Sequence, residues 1–395
     1  MLHGALAIVA LCLVAVMMRP AISAVGPLID RMSADTGIAL ALLGALSTIV
    51  LITWAVVSPF AHGVGRRLGL GGAVLAALGL LAVGLVVRSL PGSSAWLWIG
   101  TGLIGVALAI GNVLMPAVIK RDFPLRVPLM MGVYSALLGG AGAVASGLAV
   151  PLAELSGGDV GAGWRMSLLV TGGAVLPFAL IAWWLSSRRG VRAVPSTGRT
   201  PRTGIWRDPV AWLVAGYMGV QSTSFYVLVT WLASVSTATG RSAAIAGVDV
   251  MVYQVFSLVG ALALPLVMRG RGERIAPALL PALGISGIAG LMIWPGAIGF
   301  WVVPLGLFSG ASLGISLTLM AQRARDHSTS SALSGMSQSV GYAIAAIGPV
   351  LFGAVHAATG SWTVPLTILL VTMTLQAVIG VFAARDRFVL ERTSS

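Results

Sequence analysis

Long apolar stretches recur along this chain about every 30 residues, and they constrain its fold more than any other feature. A helix of about 20 apolar residues crosses the hydrocarbon core of a bilayer. Charged residues make up only 9% of the 395 residues and the mean hydropathy is +0.98, which excludes an ordinary soluble protein. The sequence therefore predicts an all-α membrane protein with roughly twelve transmembrane helices.

The apolar runs and the breaks between them locate these helices. We predict them at 4–31, 38–61, 70–88, 96–119, 128–152, 164–187, 209–233, 243–268, 275–294, 298–320, 330–355 and 362–384. The segment 188–208 is rich in Arg, Pro, Gly, Ser and Thr and divides the helices six and six. We therefore predict an N-terminal six-helix bundle at 1–187, a cytoplasmic basic linker at 188–208 and a C-terminal six-helix bundle at 209–395.

The formal charge of +13 would suggest a nucleic-acid partner in a soluble protein, so the positions of the charges matter. One set of connections carries 19 cations and six acids, whereas the opposite set, which includes Arg88, carries four of each. By the positive-inside rule the first set is cytoplasmic, and both termini lie there. The excess positive charge then sets the orientation of the helices in the membrane and attracts lipid headgroups, so no nucleic-acid partner is expected. A multi-pass protein of the cell inner (cytoplasmic) membrane is predicted.

The two halves share landmarks at a nearly constant offset of about 200 residues, which indicates a duplicated six-helix unit. These landmarks are Arg121-Asp122 and Arg325-Asp326, Gly132 and Gly335, and Trp164 and Trp362. Two pseudo-symmetric bundles with a cavity between them are the expected architecture.

The connection after the second predicted helix reads S-P-F-A-H-G-V-G-R-R at 58–67. It is similar to the loop signature G-x-L-A-D-R-x-G-R-R of the major facilitator superfamily. The resemblance implies that Gly65, Arg66 and Arg67 form a conformational loop. His62 replaces the usual Asp, so the charge-based latch of this loop is not expected in its usual form.

Further motifs resemble one branch of that superfamily, the cyanate and 2-nitroimidazole transporters (CynX/NimT family). They are R-P-A-I-S-A-V-G-P-L at 19–28, G-N-V-L-M-P at 111–116, K-R-D-F-P at 120–124, Tyr134-Ser135, and L-S-G-M at 333–336 with Gln338 and Tyr342. The resemblance covers essentially the whole chain. It implies a secondary transporter of the major facilitator fold, in a family with diverse substrates.

Arg19 lies near the middle of the first predicted helix, where a charge costs at least ~2.5–3.5 kcal/mol. Its forked guanidinium is suited to a carboxylate, cyanate-like or nitro-bearing substrate. Alternatively, Arg19 pairs with a fixed acid or with backbone carbonyls loosened by Pro20. Pro20 and Gly26-Pro27 are expected to bend this helix.

Asp249 is the one acid predicted to lie within an apolar helix, about 9 Å below the periplasmic surface. Tyr253 lies four residues on, so its phenol shares the same helix face. We consider Asp249 a candidate for carrying a coupling proton, with Tyr253 as its partner. The alternative interpretation is an acid in a water-filled vestibule.

Neutral polar residues within the predicted helices complete the candidate substrate site. They are Asn112, Tyr134, Gln221, Tyr226, Gln338 and Tyr342. Because polar groups face lipid only at high cost, these side chains are expected to point inward. Inward-pointing groups serve either substrate binding or hydrogen bonds between helices.

Other classes of protein lack support in the sequence. Cys12 is the only cysteine, which excludes a disulfide scaffold and a Cys-based metal or redox centre. A pump lacks its phosphate-binding loop, and the four histidines suggest neither metal ligation nor a catalytic triad, so no enzyme and no cofactor are expected. We predict a monomeric carrier that moves a small molecule through the lipid bilayer, with protons as a candidate driving ion. A drug efflux carrier of the same fold, a channel and a substrate-sensing receptor remain alternatives.

Overall fold

The computed structural model describes residues 2–187, 203–325 and 327–391, and these residues form helices and no strand. Sixteen α-helices follow one another in the described parts of the chain. They are α1 Leu2–Met17, α2 Pro20–Ser23, α3 Ile29–Thr36, α4 Leu40–Leu43, α5 Ala45–Arg88, α6 Ala95–Asp122, α7 Val127–Glu154, α8 Val160–Gly173, α9 Leu176–Ser187, α10 Pro209–Ala238, α11 Ala243–Val267, α12 Gly272–Leu279, α13 Pro281–Ile293, α14 Ile298–Gln322, α15 His327–Thr359 and α16 Thr363–Ala383.

Eleven helical stretches of the described residues are long and apolar enough to cross a membrane. They are Ala5–Thr36, Leu40–Ala61, Gly63–Arg88, Ala95–Asp122, Leu129–Glu154, Val160–Ser187, Ala243–Val267, Gly272–Ile293, Pro295–Gln322, Ala332–Thr359 and Thr363–Ala383. A helix is present at every predicted position, but α10, at 30 residues, is not among these eleven. The all-helical membrane architecture is therefore confirmed, with eleven candidate spans.

The first span is broken where its prolines predict a bend. α1 ends at Met17, Pro20 opens the four-residue helix α2, and Gly26-Pro27 lies in a short 3-10 helix before α3. Proline has no N–H and cannot continue the hydrogen-bond ladder of a preceding helix. The prediction that Pro20 and Gly26-Pro27 bend this span is confirmed.

The resemblance implies a loop at Gly65, Arg66 and Arg67, and this prediction is wrong for the backbone. α5 is helical through these residues, and its only non-helical backbone is at Gly69, with φ of 73°. A positive φ is readily adopted only by glycine, so the chain turns there and not at the Arg pair. Pro59 within α5 does not end the helix.

The described residues group into two compact units. The N-terminal unit contains 2–187 and 229–254, and the C-terminal unit contains 203–228 and 255–391. The largest helix contact of the N-terminal unit joins α5 to α6, and the C-terminal unit packs α13 against α14 and α16. The predicted linker 188–208 lies mostly outside the described residues, but its final part, Thr203–Arg207, is a 3-10 helix.

Candidate substrate-binding site

Arg19 lies in the break between α1 and α2. Its backbone φ is −119°, and its carbonyl accepts hydrogen bonds from the amides of Ile22 and Ser23 at 3.0 and 3.1 Å. The backbone of Arg19 therefore belongs to the turn that α2 forms. Its side chain is half-buried within the first apolar span.

Two glycines bring α6 and α7 close to this break. A Cβ on Gly111 of α6 would lie 2.7 Å from Sδ of Met18. A Cβ on Gly142 of α7 would lie 3.2 Å from Cβ of Arg19 and 2.9 Å from Oγ of Ser23. A larger residue at Gly142 would displace the groups around Arg19, whereas one at Gly111 would first displace the side chain of Met18.

Two of the predicted polar residues lie on these same helices. Oη of Tyr134 on α7 is 3.5 Å from Oδ1 of Asn112 on α6, at the long limit of a hydrogen bond. The side chain of Tyr134 is buried and lies close enough to Arg19 for an electrostatic interaction between them. The structure thus brings Arg19, Asn112 and Tyr134 into one region of the N-terminal unit.

A buried polar cluster beside Arg19 was not predicted from the sequence. Gln254 of α11 accepts from Oγ of Ser23 at 2.9 Å and donates to Oγ of Ser146 at 2.6 Å. Oγ of Ser146 in turn donates to the carbonyl of Ser23 at 2.9 Å. We call Ser23, Ser146 and Gln254 the serine–glutamine cluster. The available signal was Gln254 itself, a polar residue within an apolar run.

The prediction that Arg88 lies in an exposed connection between helices is wrong. Arg88 is 2% exposed, and its Nη1 donates to the carbonyl of Ala21 in α2 at 2.7 Å. A Cβ on Gly100 would collide with the backbone of Arg88, so this glycine lets α5 and α6 meet closely there. Nε and Nη2 of Arg88 have no hydrogen-bond partner among the described residues.

The predicted residues of the C-terminal unit make local contacts. Nε2 of Gln221 donates to Oγ of Ser222 at 2.7 Å, and Nε2 of Gln338 donates to Oγ of Ser334 at 3.0 Å. Tyr226 packs edge-on against Phe225 with ring centroids 5.0 Å apart. Tyr342 is half-buried. Both glutamines therefore use these hydrogen bonds within their own helices.

Asp249 is buried on α11 and has two close partners. Oγ of Ser236 donates to its Oδ2 at 2.6 Å, and Nε of Arg241 lies 3.1 Å from the same oxygen. Tyr253, predicted to share its face, is fully buried one turn further along α11. The carboxylate is therefore held at Oδ2 by a hydroxyl and a cation.

Two surface cavities of the C-terminal unit, about 470 and 600 Å³, contain none of the predicted substrate residues. At the first, Arg323 donates to the carbonyls of Ala383 and Ala384 at 3.0 and 3.1 Å. Burial lowers the pKa of Arg323, while Asp386 and Glu273 oppose that shift. Among the described residues no group of three or more His, Cys, Asp or Glu side chains is placed to hold a metal ion.

The sequence of these apolar helices matches a known family of carriers. Residues 11–346 match the family model of the Major Facilitator Superfamily. The chain therefore belongs to this superfamily, and it is a secondary transporter of small solutes, not an enzyme.

Two relatives of known name indicate which branch of the superfamily the chain resembles. The chain is 37% identical over 383 residues to the 2-nitroimidazole transporter of Escherichia coli (strain K12), covering 96% of this chain and 95% of that one. It is 28% identical over 359 residues to the cyanate transport protein CynX of the same organism, covering 89% and 90%. It is thus a CynX/NimT-like transporter, as its motifs predicted.

A solved structure shares the fold. This is a bacterial homologue of the human lysosomal transporter Spinster, in an inward-facing and unoccupied conformation. The TM-score is 0.78 at 16% sequence identity, over 98% of this chain and 99% of that one.

Proposed function

We propose that this carrier moves a small polar or anionic solute, either cyanate-like, a carboxylate or a nitro-bearing heterocycle, across the cytoplasmic membrane by alternating access. The names of its relatives, which transport 2-nitroimidazole and cyanate, support this substrate class. We also propose that the carrier has twelve spans. They form two six-helix bundles, 1–187 and 209–395, which the segment 188–208 joins. The cation-rich connections favour cytoplasmic termini.

The observation that carries the proposal is the position of Arg19. A permanently charged guanidinium occupies a helix break within an apolar span, beside Asn112 and Tyr134. A guanidinium can donate two parallel hydrogen bonds to a carboxylate or to a nitro group, and the amide and phenol can donate further ones. In our proposal Arg19 supplies affinity for the substrate, and Asn112 and Tyr134 orient it.

Other predicted residues have subordinate roles in this proposal. Gln221, Tyr226, Gln338 and Tyr342 are candidate contacts from the C-terminal unit. Asp249 with Tyr253 is the candidate proton-coupling pair. The helical segment that contains Gly65, Arg66 and Arg67 is the candidate conformational element.

Binding and transport by the unmutated chain test the proposal. Purified protein is screened by thermal shift against 2-nitroimidazole, cyanate, small carboxylates and a series of neutral apolar compounds. Proteoliposomes then measure uptake of each hit with and without a pH gradient. We expect stabilisation by at least one anionic or nitro-bearing compound, followed by saturable uptake of it. Binding restricted to neutral apolar compounds would favour a drug carrier instead.

A further inference from the structure

The short helix α2 that follows Arg19 is held from one side by Arg88. The amide of Val25 donates to the carbonyl of Ile22, and Arg88 donates to the carbonyl of Ala21. Carbonyls at a helix break need donors from outside the helix, because the ladder that would satisfy them has ended. Arg88 therefore replaces a backbone donor that the break has removed.

The serine–glutamine cluster holds the same helix from another side. Ser23, the last residue of α2, uses its hydroxyl on Gln254 and its carbonyl on Ser146. Nε2 of Gln254 also lies 3.3 Å from the carbonyl of Gly142. All three side chains of the cluster are buried, between 0% and 5% exposed. A fully hydrogen-bonded polar cluster in an apolar interior tolerates little displacement of its members.

Gly142 connects this cluster to Arg19. The space where its Cβ would stand is bounded by Oε1 of Gln254, Oγ of Ser23 and Cβ of Arg19, at 2.8, 2.9 and 3.2 Å. The backbone of Arg19 is also tied to the amides of Ile22 and Ser23. A shift of Ser23 or Ala21 is therefore transmitted to Arg19.

We propose that Gln254 and Arg88 are positioning residues that orient the Arg19 guanidinium toward the substrate by fixing α2 from two sides. This inference rests on the proposed function of Arg19 as the substrate-binding cation. Neither positioning residue needs to touch the substrate. Their effect on binding should depend on the rigid fork of arginine at position 19, because a flexible lysine ammonium at that position can compensate for small displacements.

A double-mutant cycle on the full-length chain tests the proposal, with 2-nitroimidazole and cyanate as probes. Gln254→Leu, Ser146→Ala and Arg88→Met are each made in the unmutated and in the Arg19→Lys background. We expect each to raise Kd roughly tenfold when Arg19 is present, the size of one lost hydrogen bond, and less than twofold in the Arg19→Lys background. Ser146→Ala removes only a hydroxyl and is the variant expected to fold most like the unmutated chain.

Ser167→Ala is the matched control. Ser167 is also a fully buried serine in the same unit, and its hydroxyl donates to the carbonyl of Ala149 at 2.6 Å and not to any residue of α2. We expect an unchanged Kd for this variant. Arg88→Lys, which keeps a donor and the charge, should recover most of the affinity that Arg88→Met loses.

The alternative outcomes are distinguishable. Equal losses in both backgrounds would overturn the positioning role, because they indicate direct contact or general destabilisation. Unchanged affinity in Gln254→Leu, Ser146→Ala and Arg88→Met, together with weaker binding in Arg19→Lys, would overturn this inference alone. Full affinity in Arg19→Lys and Arg19→Ala, or no binding of any probe by the unmutated chain, would overturn the proposed function and this inference with it.

Discussion

Each unit contains a buried polar cluster, and the two differ in how their hydrogen bonds are satisfied. In the serine–glutamine cluster of the N-terminal unit, every side chain has partners. In the C-terminal unit Tyr217 lies beside Ser312 and Gln376, all of them fully buried. We call Tyr217, Ser312 and Gln376 the tyrosine cluster. The hydroxyls of Tyr217 and Ser312 and both amide atoms of Gln376 have no partner in hydrogen-bonding geometry among the described residues.

The difference separates polar side chains that have partners in hydrogen-bonding geometry from polar side chains that lie close together without that geometry. A buried polar atom without a partner costs about 1–3 kcal/mol, whereas a paired one contributes a modest net gain. The satisfied cluster lies beside the helix break that carries Arg19. We therefore expect substitutions in the N-terminal cluster to affect binding and stability, and substitutions in the tyrosine cluster to affect neither adversely.

The largest effect is expected at Arg19 itself. Arg19→Ala should abolish measurable binding of 2-nitroimidazole or cyanate, a loss of about a hundredfold or more, because two charge-assisted hydrogen bonds disappear. Titration calorimetry on purified protein measures the loss. Arg31→Ala is the control, since Arg31 forms an ion pair with Glu154 at 2.8 Å near the end of the same span. Equal affinity in Arg19→Ala and the unmutated chain would remove the functional contrast between the two clusters.

Asp249 extends the contrast to a third buried polar group, one paired with Arg241 and Ser236. If its carboxyl carries the coupling proton, Asp249→Asn mimics the protonated state permanently. Exchange of substrate between loaded compartments should then survive, whereas accumulation driven by a pH gradient should disappear. Both are measured side by side in proteoliposomes, with Glu154→Gln as an Arg-paired control at the surface. Accumulation that persists in Asp249→Asn would exclude the coupling role.

The most direct test of the difference between the two clusters substitutes one buried glutamine in each, Gln254 and Gln376, and compares the stability of the two variants. Gln254→Leu should lower the free energy of unfolding by about 2–4 kcal/mol, because it leaves Ser23 and Ser146 short of partners. The midpoint of thermal unfolding in detergent should fall by about 5 °C. An unchanged midpoint would show that the satisfied cluster contributes little to stability.

The smallest effect is expected for Gln376→Leu. This side chain is 0% exposed, and neither atom of its amide has a partner among the described residues. Replacing it with an apolar group of similar size should leave the unfolding midpoint unchanged or raise it, by up to about 1 kcal/mol of stability. A fall as large as that of Gln254→Leu would mean that the tyrosine cluster holds an ordered water and is satisfied after all.

The sequence predicted the apolar helices, eleven of which are candidate spans, the bend at Pro20 and the burial of Tyr134, because hydropathy and the cost of polar groups in lipid are local properties. It did not predict the roles of Arg88 and Gln254. Arg88 stands at the end of an apolar run, where a connection is expected, and its burial depends on Gly100 of another helix. The partners of Gln254 are more than 100 residues away, and only the packing of helices brings them together.

The break at Arg19 also has a mechanical consequence. Among the described residues, no backbone hydrogen bond links α1 to α2, and Met18 donates only back to Ala15. The first span is therefore not one continuous rod but the separate helices α1, α2 and α3, with a joint at Arg19 and another at Gly26-Pro27. A displacement of the segment after Pro20 moves the joint at Arg19 with it, because the carbonyl of Arg19 accepts hydrogen bonds from the amides of Ile22 and Ser23. The stiffness of that joint is set by a few side-chain hydrogen bonds, so single substitutions can tune it.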